Sequence, residues 1–208
     1  MSHGLQCEAL LRPEFTRQLA AQLMAGAAIA LISPHGSGRR RTLLDLRQML
    51  AGRMRLLSLD MKFDRFDCAA AVAKLLPPDT EAGASLFEWL NASSAPTLLI
   101  LHNLDLLHGR EDHDPAFDRL LLAQLPKMRS SPMLSLLAVF EADIGDWLPG
   151  IEPLPLPALT GDQIAAEVGR RQPTMPRPER ERLANELAQY PDSHDRMQQL
   201  LAAAAGKA

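Results

Sequence analysis

Residues 28–46, AIALISPHGSGRRRTLLDL, constrain the fold more than any other stretch of the chain. Ala28 to Ile32 are apolar without alternation, which suggests a strand buried on both faces, as in a parallel sheet. A turn containing Gly36, Ser37 and Gly38 follows, and then a helix that opens on Arg39, Arg40 and Arg41. A strand, a glycine turn and a helix N-terminus in that order gather backbone N–H groups where an anion can sit. Taken alone, SPHGSG reads as an ordinary turn, because Gly and Ser serve turns everywhere. The three arginines stand where the helix dipole disfavours cations. That placement is as compatible with a bound anion or acidic partner as with a solvated basic edge.

The rest of the chain decides which architecture the segment belongs to. Leu11, Phe15, Leu19 and Leu23 give residues 8–24 a helical period, with Pro13 in a position a first turn tolerates. Strands are expected over 27–32, 55–60, 97–101 and 134–140, and helices over 39–50, 68–76, 84–92 and 116–128. Pro77-Pro78 closes the helix that begins at Cys68, and a polar loop, GREDHDP, fills 109–115. From Thr160 onward only helical patterns occur: Thr160 and Gln163 form a capping box, 172–178 is a linker, and helices are expected over 178–189 and 192–204. Aromatic residues are only 4% while Leu and Ala abound, which favours helix-rich packing over an all-β fold. Alternating strands and helices give the fold class as α/β: a parallel sheet with right-handed crossovers, flanked by helices and followed by a small all-helical lid. The expected boundary divides residues 1–158 from a lid at 159–208.

Composition removes several function classes. The net charge is −3, so no broad field draws nucleic acid or an anionic membrane. The longest apolar run, Met24 to Ile32, is far too short to cross a bilayer, and MSHGLQCEALLRPE lacks the pattern of a signal peptide. Cys7 and Cys68 have neither disulfide nor zinc spacing, and a reducing, cytoplasmic setting is expected. His108, Asp112, His113 and Asp114 read as a hydrated loop, so no metal site is expected. The interleaved Arg and Glu residues of 167–186 read as a salt-bridged helix surface.

The order of segments resembles the AAA+ ATPases, in the branch shared by the STAND regulatory ATPases and origin-recognition-like proteins. LLRPEFTRQLAAQL resembles the helix before the first core strand, and SPHGSGRRRTLL the Walker A loop, G-x-x-x-x-G-K-[ST]. TLLILHNLDLL resembles the Walker B strand, LSLLAVFEA the sensor 1 strand, LPLPALTGDQIAAEV the hinge into the lid, and YPDSHDRMQQLL the sensor 2 helix. The similarity runs over about residues 8–202, so the expected sheet is of the P-loop NTPase type.

What the resemblance implies is a nucleotide site with its chemistry removed. Gly36, Ser37 and Gly38 match the phosphate cradle, whereas Ser33 stands at the first Walker A glycine. Arg39 replaces the lysine and Arg40 the hydroxyl that would hold Mg²⁺. At Walker B, His102 and Asn103 replace the acidic pair, with Asp105 as a substitute in another register, and neutral side chains serve Mg²⁺ poorly. Glu141 falls near sensor 1, Arg196 fits the sensor 2 arginine, and Arg129 lies near the place of an arginine finger. Phosphoryl transfer needs lysine, metal and positioned water together, so no catalytic residue is assigned. The leading expectation is a pseudo-ATPase acting in protein interaction, assembly or regulation, with an active ATPase, another protein or its own copies as partner. A weak ATP- or ADP-binding switch with little hydrolysis is the alternative, and a DNA-associated regulator the third.

Overall fold

The computed structural model describes residues 9–77, 86–92, 95–129, 131, 133–142, 145–151 and 153–205. Cys7, Pro78 and Asp143 lie outside them, as does residue 8, where the first helix was expected to start. The described elements run α1 (Pro13–Met24), β1 (Ala28–Ile32), α2 (Arg39–Leu50), β2 (Arg55–Asp60), α3 (Met61–Asp64) and α4 (Cys68–Ala73). They continue with α5 (Leu86–Ala92), β3 (Thr97–His102), α6 (Ala116–Arg129), β4 (Leu134–Phe140), β5 (Pro153–Pro155), α7 (Gly161–Arg171), α8 (Arg177–Leu187) and α9 (Ser193–Ala205).

The five strands form one parallel sheet in the order β2-β3-β4-β1-β5. The expectation of an α/β parallel sheet is therefore met, and the apolar run of the first strand belongs to its interior. β4 is buried at all seven positions and β3 at its first five, as strands covered on both faces must be. Fully burying each such Leu or Val stabilises by about 1.5–3 kcal/mol.

Two elements were not read from the sequence. α3 is a single turn, capped when Asp60 accepts from the Lys62 N–H at 3.0 Å. The family resemblance puts Leu154 and Pro155 in a hinge, and the structure has strand β5 there, Pro153–Pro155. Prolines are tolerated on an edge strand, and among the described residues β5 is at an edge, paired with β1 through the Ala30–Ile32 register. Helix ends also shift: α1 starts at Pro13, α4 stops at Ala73, and α8 begins at Arg177 with Pro178 in its first turn. α6 continues through Pro126.

The described chain packs as two compact units, one of residues 20–34 and 50–156, the other of residues within 1–19, 35–49 and 157–208. The first unit holds the sheet, whose core includes Leu59, Leu99, Leu136, Phe117 and Phe140. Within it, buried Ser135 donates to the Leu23 carbonyl at the end of α1. The second unit combines the start of α1, most of α2 and the helices α7–α9. Its core is Leu11, Leu159, Ile164, Val168, Ala184, Leu187, Met197 and Leu201. Thr160 caps α7 as expected, accepting from Gln163 N–H at 3.2 Å while the Gln163 side chain accepts from Thr160 N–H at 3.0 Å.

Candidate phosphate loop and its lid

Gly36 and Gly38 adopt φ of 75° and 85°, the left-handed region that makes glycine the residue of choice in this turn. Space gives a second reason. A Cβ on Gly36 would lie 2.7 Å from Asp192 Cβ, and one on Gly38 2.9 Å from the His194 ring. The start of α9 therefore lies directly against the glycine loop. Asp195 N–H donates to the Gly36 carbonyl at 3.2 Å, and His35 Nε2 lies 3.6 Å from Asp195 Oδ2.

Behind the loop is a buried polar network that the sequence reading missed. The Arg12 side chain is 1% exposed. Its Nε donates to Pro157 carbonyl at 2.9 Å, Nη1 to Thr42 Oγ1 at 2.8 Å, and Nη2 to the Ser37 carbonyl. One guanidinium thus joins the loop, α2 and the entry to the lid. Burial lowers its pKa to about 10, and nearby Asp45 works the other way. Thr42 Oγ1 also donates to the Gly38 carbonyl at 3.3 Å, so its hydroxyl is committed on both sides. Asp45, fully buried in α2, accepts the Leu11 N–H at 2.8 Å and pairs with Arg41 at 2.9 Å. Burial raises its pKa, and the Leu11 N–H and Arg41 oppose that rise.

Glu167, 4% exposed in α7, is the third buried charge. It accepts from Arg170 at 2.6 and 3.0 Å and from Arg171 at 2.6 Å. Burial alone would raise its pKa, but the two arginines prevail and hold it below the ordinary glutamate value. A single buried Arg at a helix entry carries no periodic signal, which is why Arg12 was overlooked. Its only mark in the sequence is a charged residue placed among apolar neighbours, directly before Pro13.

The other expected residues are placed as follows. Arg39 is half-buried at the first position of α2 and Arg40 is exposed. Arg196 donates through Nε to Asp192 at 2.7 Å, and its guanidinium carbon lies 4.0 Å from the centroid of the Tyr190 ring. In the sheet unit, His102 ends β3 with Nε2 3.1 Å from Ser58 Oγ. Asn103 has φ 53°, the one non-glycine described with positive φ, and donates to Asp60 at 2.7 Å. Asp105 accepts the Glu141 N–H at 3.2 Å. These residues knit the ends of β2, β3 and β4 together. Arg129 is the last residue of α6, and its side chain lies outside the described structure.

The polar loop between β3 and α6 is similarly committed. Asp112 accepts from Arg110 and Arg65, and Asp114 from the Cys68 and Ala116 N–H groups. His113 Nε2 is 3.1 Å from Asp118. Among the described residues, no group of three or more His, Cys, Asp or Glu side chains is arranged to hold a metal ion.

No family model matches the chain, and no curated protein matches it significantly. Solved structures do. A Cdc6p structure from Pyrobaculum aerophilum aligns over 99% of this chain and 65% of its own, with TM-score 0.59 and 14% identity. The Drosophila ORC bound to DNA aligns over 96% of this chain and 56% of its own, with TM-score 0.63 and 15% identity. The ORC2 protein of Aeropyrum pernix, in ADPNP–ADP complexes, aligns over 89% and 58%, with TM-score 0.59 and 15% identity. The fold is the AAA+ fold. At such identities the likeness concerns fold alone, and this chain spans roughly three fifths of the structures it matches. The β1–α2 turn and α7–α9 stand where the sequence resemblance expects the P-loop and the helical lid.

Proposed function

We propose that this AAA+-fold chain is a pseudo-ATPase, a protein-assembly or regulatory module whose nucleotide chemistry is lost. One observation carries the proposal: the loop that would cradle phosphates is lined by Asp192, His194 and Asp195 of the lid. A triphosphate entering there would have to displace the start of α9 and then face two carboxylates. The residue identities agree with that reading. Arg39 and Arg40 cannot reproduce a Lys–hydroxyl pair, and Thr42, the nearest hydroxyl on α2, is bonded to Arg12 and Gly38. His102 and Asn103 make a weak magnesium site, since the ion prefers carboxylate oxygens. A fold kept without its reaction still offers surfaces, and partners are the use such surfaces serve.

The test is thermal unfolding with millimolar ATP or ADP, with and without Mg²⁺, alongside a phosphate-release assay. A ligand at a hundred times its Kd stabilises the folded state by about 2.7 kcal/mol, which a melting curve resolves. The expected result is no shift and no hydrolysis above background. A clear shift abolished in Arg39→Ala would replace this reading with a nucleotide-binding switch, for which the ADPNP–ADP complexes of the Aeropyrum pernix protein are the precedent. Since a Drosophila relative is bound to DNA, a duplex mobility shift at low salt belongs beside it, and the acidic net charge leads us to expect none.

A further inference from the structure

Within the lid unit, the first turn of α9 is tied to α7 and to the glycine loop by a relay whose direction can be deduced. Arg171 Nη1 donates to Gln198 Oε1, and a guanidinium can only donate. The Gln198 amide is thereby oriented, so its NH₂ is the group that lies 3.3 Å from His194 Nε2. An NH₂ donates, and His194 Nε2 must accept from it. An imidazole that accepts at Nε2 is neutral and carries its hydrogen on Nδ1.

The position of the ring ties it to the loop. His194 rests on Gly38, where a Cβ would lie 2.9 Å from the ring. Its Nδ1 is buried without a hydrogen bond, and Asp195 Oδ1 is 3.6 Å away. Asp195 N–H completes the attachment by donating to the Gly36 carbonyl at 3.2 Å.

A proton on Nε2 turns this acceptor into a donor. It then faces the Gln198 NH₂, which Arg171 keeps from turning over, and the α7–α9 bond is lost. The surroundings oppose that proton. Burial does so most, Asp195 on α9 favours it, and Arg171 of α7 and Arg12 of α1 resist a further positive charge. Glu167 of α7 is engaged with Arg170 and Arg171, and Asp192 of α9 with Arg196. Arg39, next to Gly38 at the start of α2, is a further cation. In the loop, His35 Nε2 lies 3.6 Å from Asp195 Oδ2, and a proton there adds attraction, but between such exposed side chains it contributes little.

We propose that His194 is a proton-operated latch, whose protonation detaches the first turn of α9 from Gly36 and Gly38 and uncovers the glycine loop. The loop is closed near neutral pH and opens in acid. The latch uses the covered loop described above but involves no nucleotide, so it and the pseudo-ATPase reading can fail separately.

Imidazole ¹⁵N NMR and amide hydrogen exchange on this chain, without nucleotide, test the latch. At pH 7 His194 is expected as the Nδ1–H tautomer. As the pH falls below 6.5, protection of the Asp195 amide, corrected for the intrinsic exchange rate at each pH, should drop by up to about tenfold per unit. The β3 and β4 amides should keep theirs. Gln198→Glu should abolish the drop, since a carboxylate accepts from Arg171 and from a protonated Nε2 alike. His35→Gln should leave it in place. An Nε2–H tautomer at pH 7 overturns the proposal. So does Asp195 protection that stays level between pH 7 and 5, a Gln198→Glu variant that opens in acid as wild type does, or a drop that His35→Gln removes.

Discussion

Buried Arg12 makes three hydrogen bonds within the unit that holds α7–α9. Replacing it with Ala leaves the Ser37 and Pro157 carbonyls and the Thr42 hydroxyl without their buried donor. The expected cost is about 3 kcal/mol, measured as a shift in the urea midpoint. Arg12→Lys should recover only part of it, because an ammonium cannot span three acceptors in a fork. A midpoint unchanged by Arg12→Ala would mean that water supplies those bonds equally well. His194 gives a pH dependence at the same scale. Burial lowers its pKa below 6.5; Asp195, with Nδ1 to Oδ1 at 3.6 Å, pulls the other way, while Arg171 and Arg12 reinforce the lowering. A base with a lowered folded pKa takes up its proton more readily when unfolded. Its stabilising contribution is therefore complete above pH 6.5 and is lost as the pH falls through the lowered folded value. His194→Gln should flatten the melting temperature between pH 7 and 5 relative to wild type. Parallel curves for the two proteins would refute the assignment.

At the scale of elements, the glycine loop and the first turn of α9 set each other's shape. Gly36→Ala must place a methyl 2.7 Å from Asp192 Cβ while holding φ at 75°. The left-handed backbone alone costs about 1–2 kcal/mol for a residue with a Cβ, and the overlap adds to it. We expect Gly36→Ala to lower the urea midpoint by more than Gly109→Ala, whose Cβ meets nothing within 4 Å at a comparable φ of 64°. Equal effects would mean that the lid yields to the methyl. The sheet strands were legible because burial on both faces writes an unbroken apolar run, as in Thr97–Leu101 and Leu134–Phe140. α7 was legible through its capping box. β5 was hidden because three residues with two prolines give no strand signal, and the segment pairs through tertiary context. The loop glycines could be read from the strand–turn–helix grammar. Their cover by Asp192 and His194 could not, since some 155 residues of sequence separate the partners and no spacing rule connects them.

For the molecule as a whole, two cores imply two stabilities. Met197 is fully buried among the lid residues Leu11, Ile164 and Leu201, apart from the cluster around β3 and β4. Met197→Ala should destabilise the lid unit by about 2–5 kcal/mol. Native-state hydrogen exchange should then show faster opening of α7 and α9 amides, with β3 and β4 amides opening as in wild type. Uniform acceleration across both sets would show one cooperative body instead. The outer rim of the sheet has a further consequence. Leu156 N–H donates inward to the Ile32 carbonyl at 2.7 Å, so in a strand of period two the backbone nitrogens of Pro153 and Pro155 face outward. Neither carries a hydrogen. An extended peptide laid along that rim would find acceptors and no donors at those positions, and β-augmentation there is barred. On that side, polymerisation by runaway strand pairing is closed to this chain, and stickiness between copies has to be written in side chains, where selection can tune it one residue at a time.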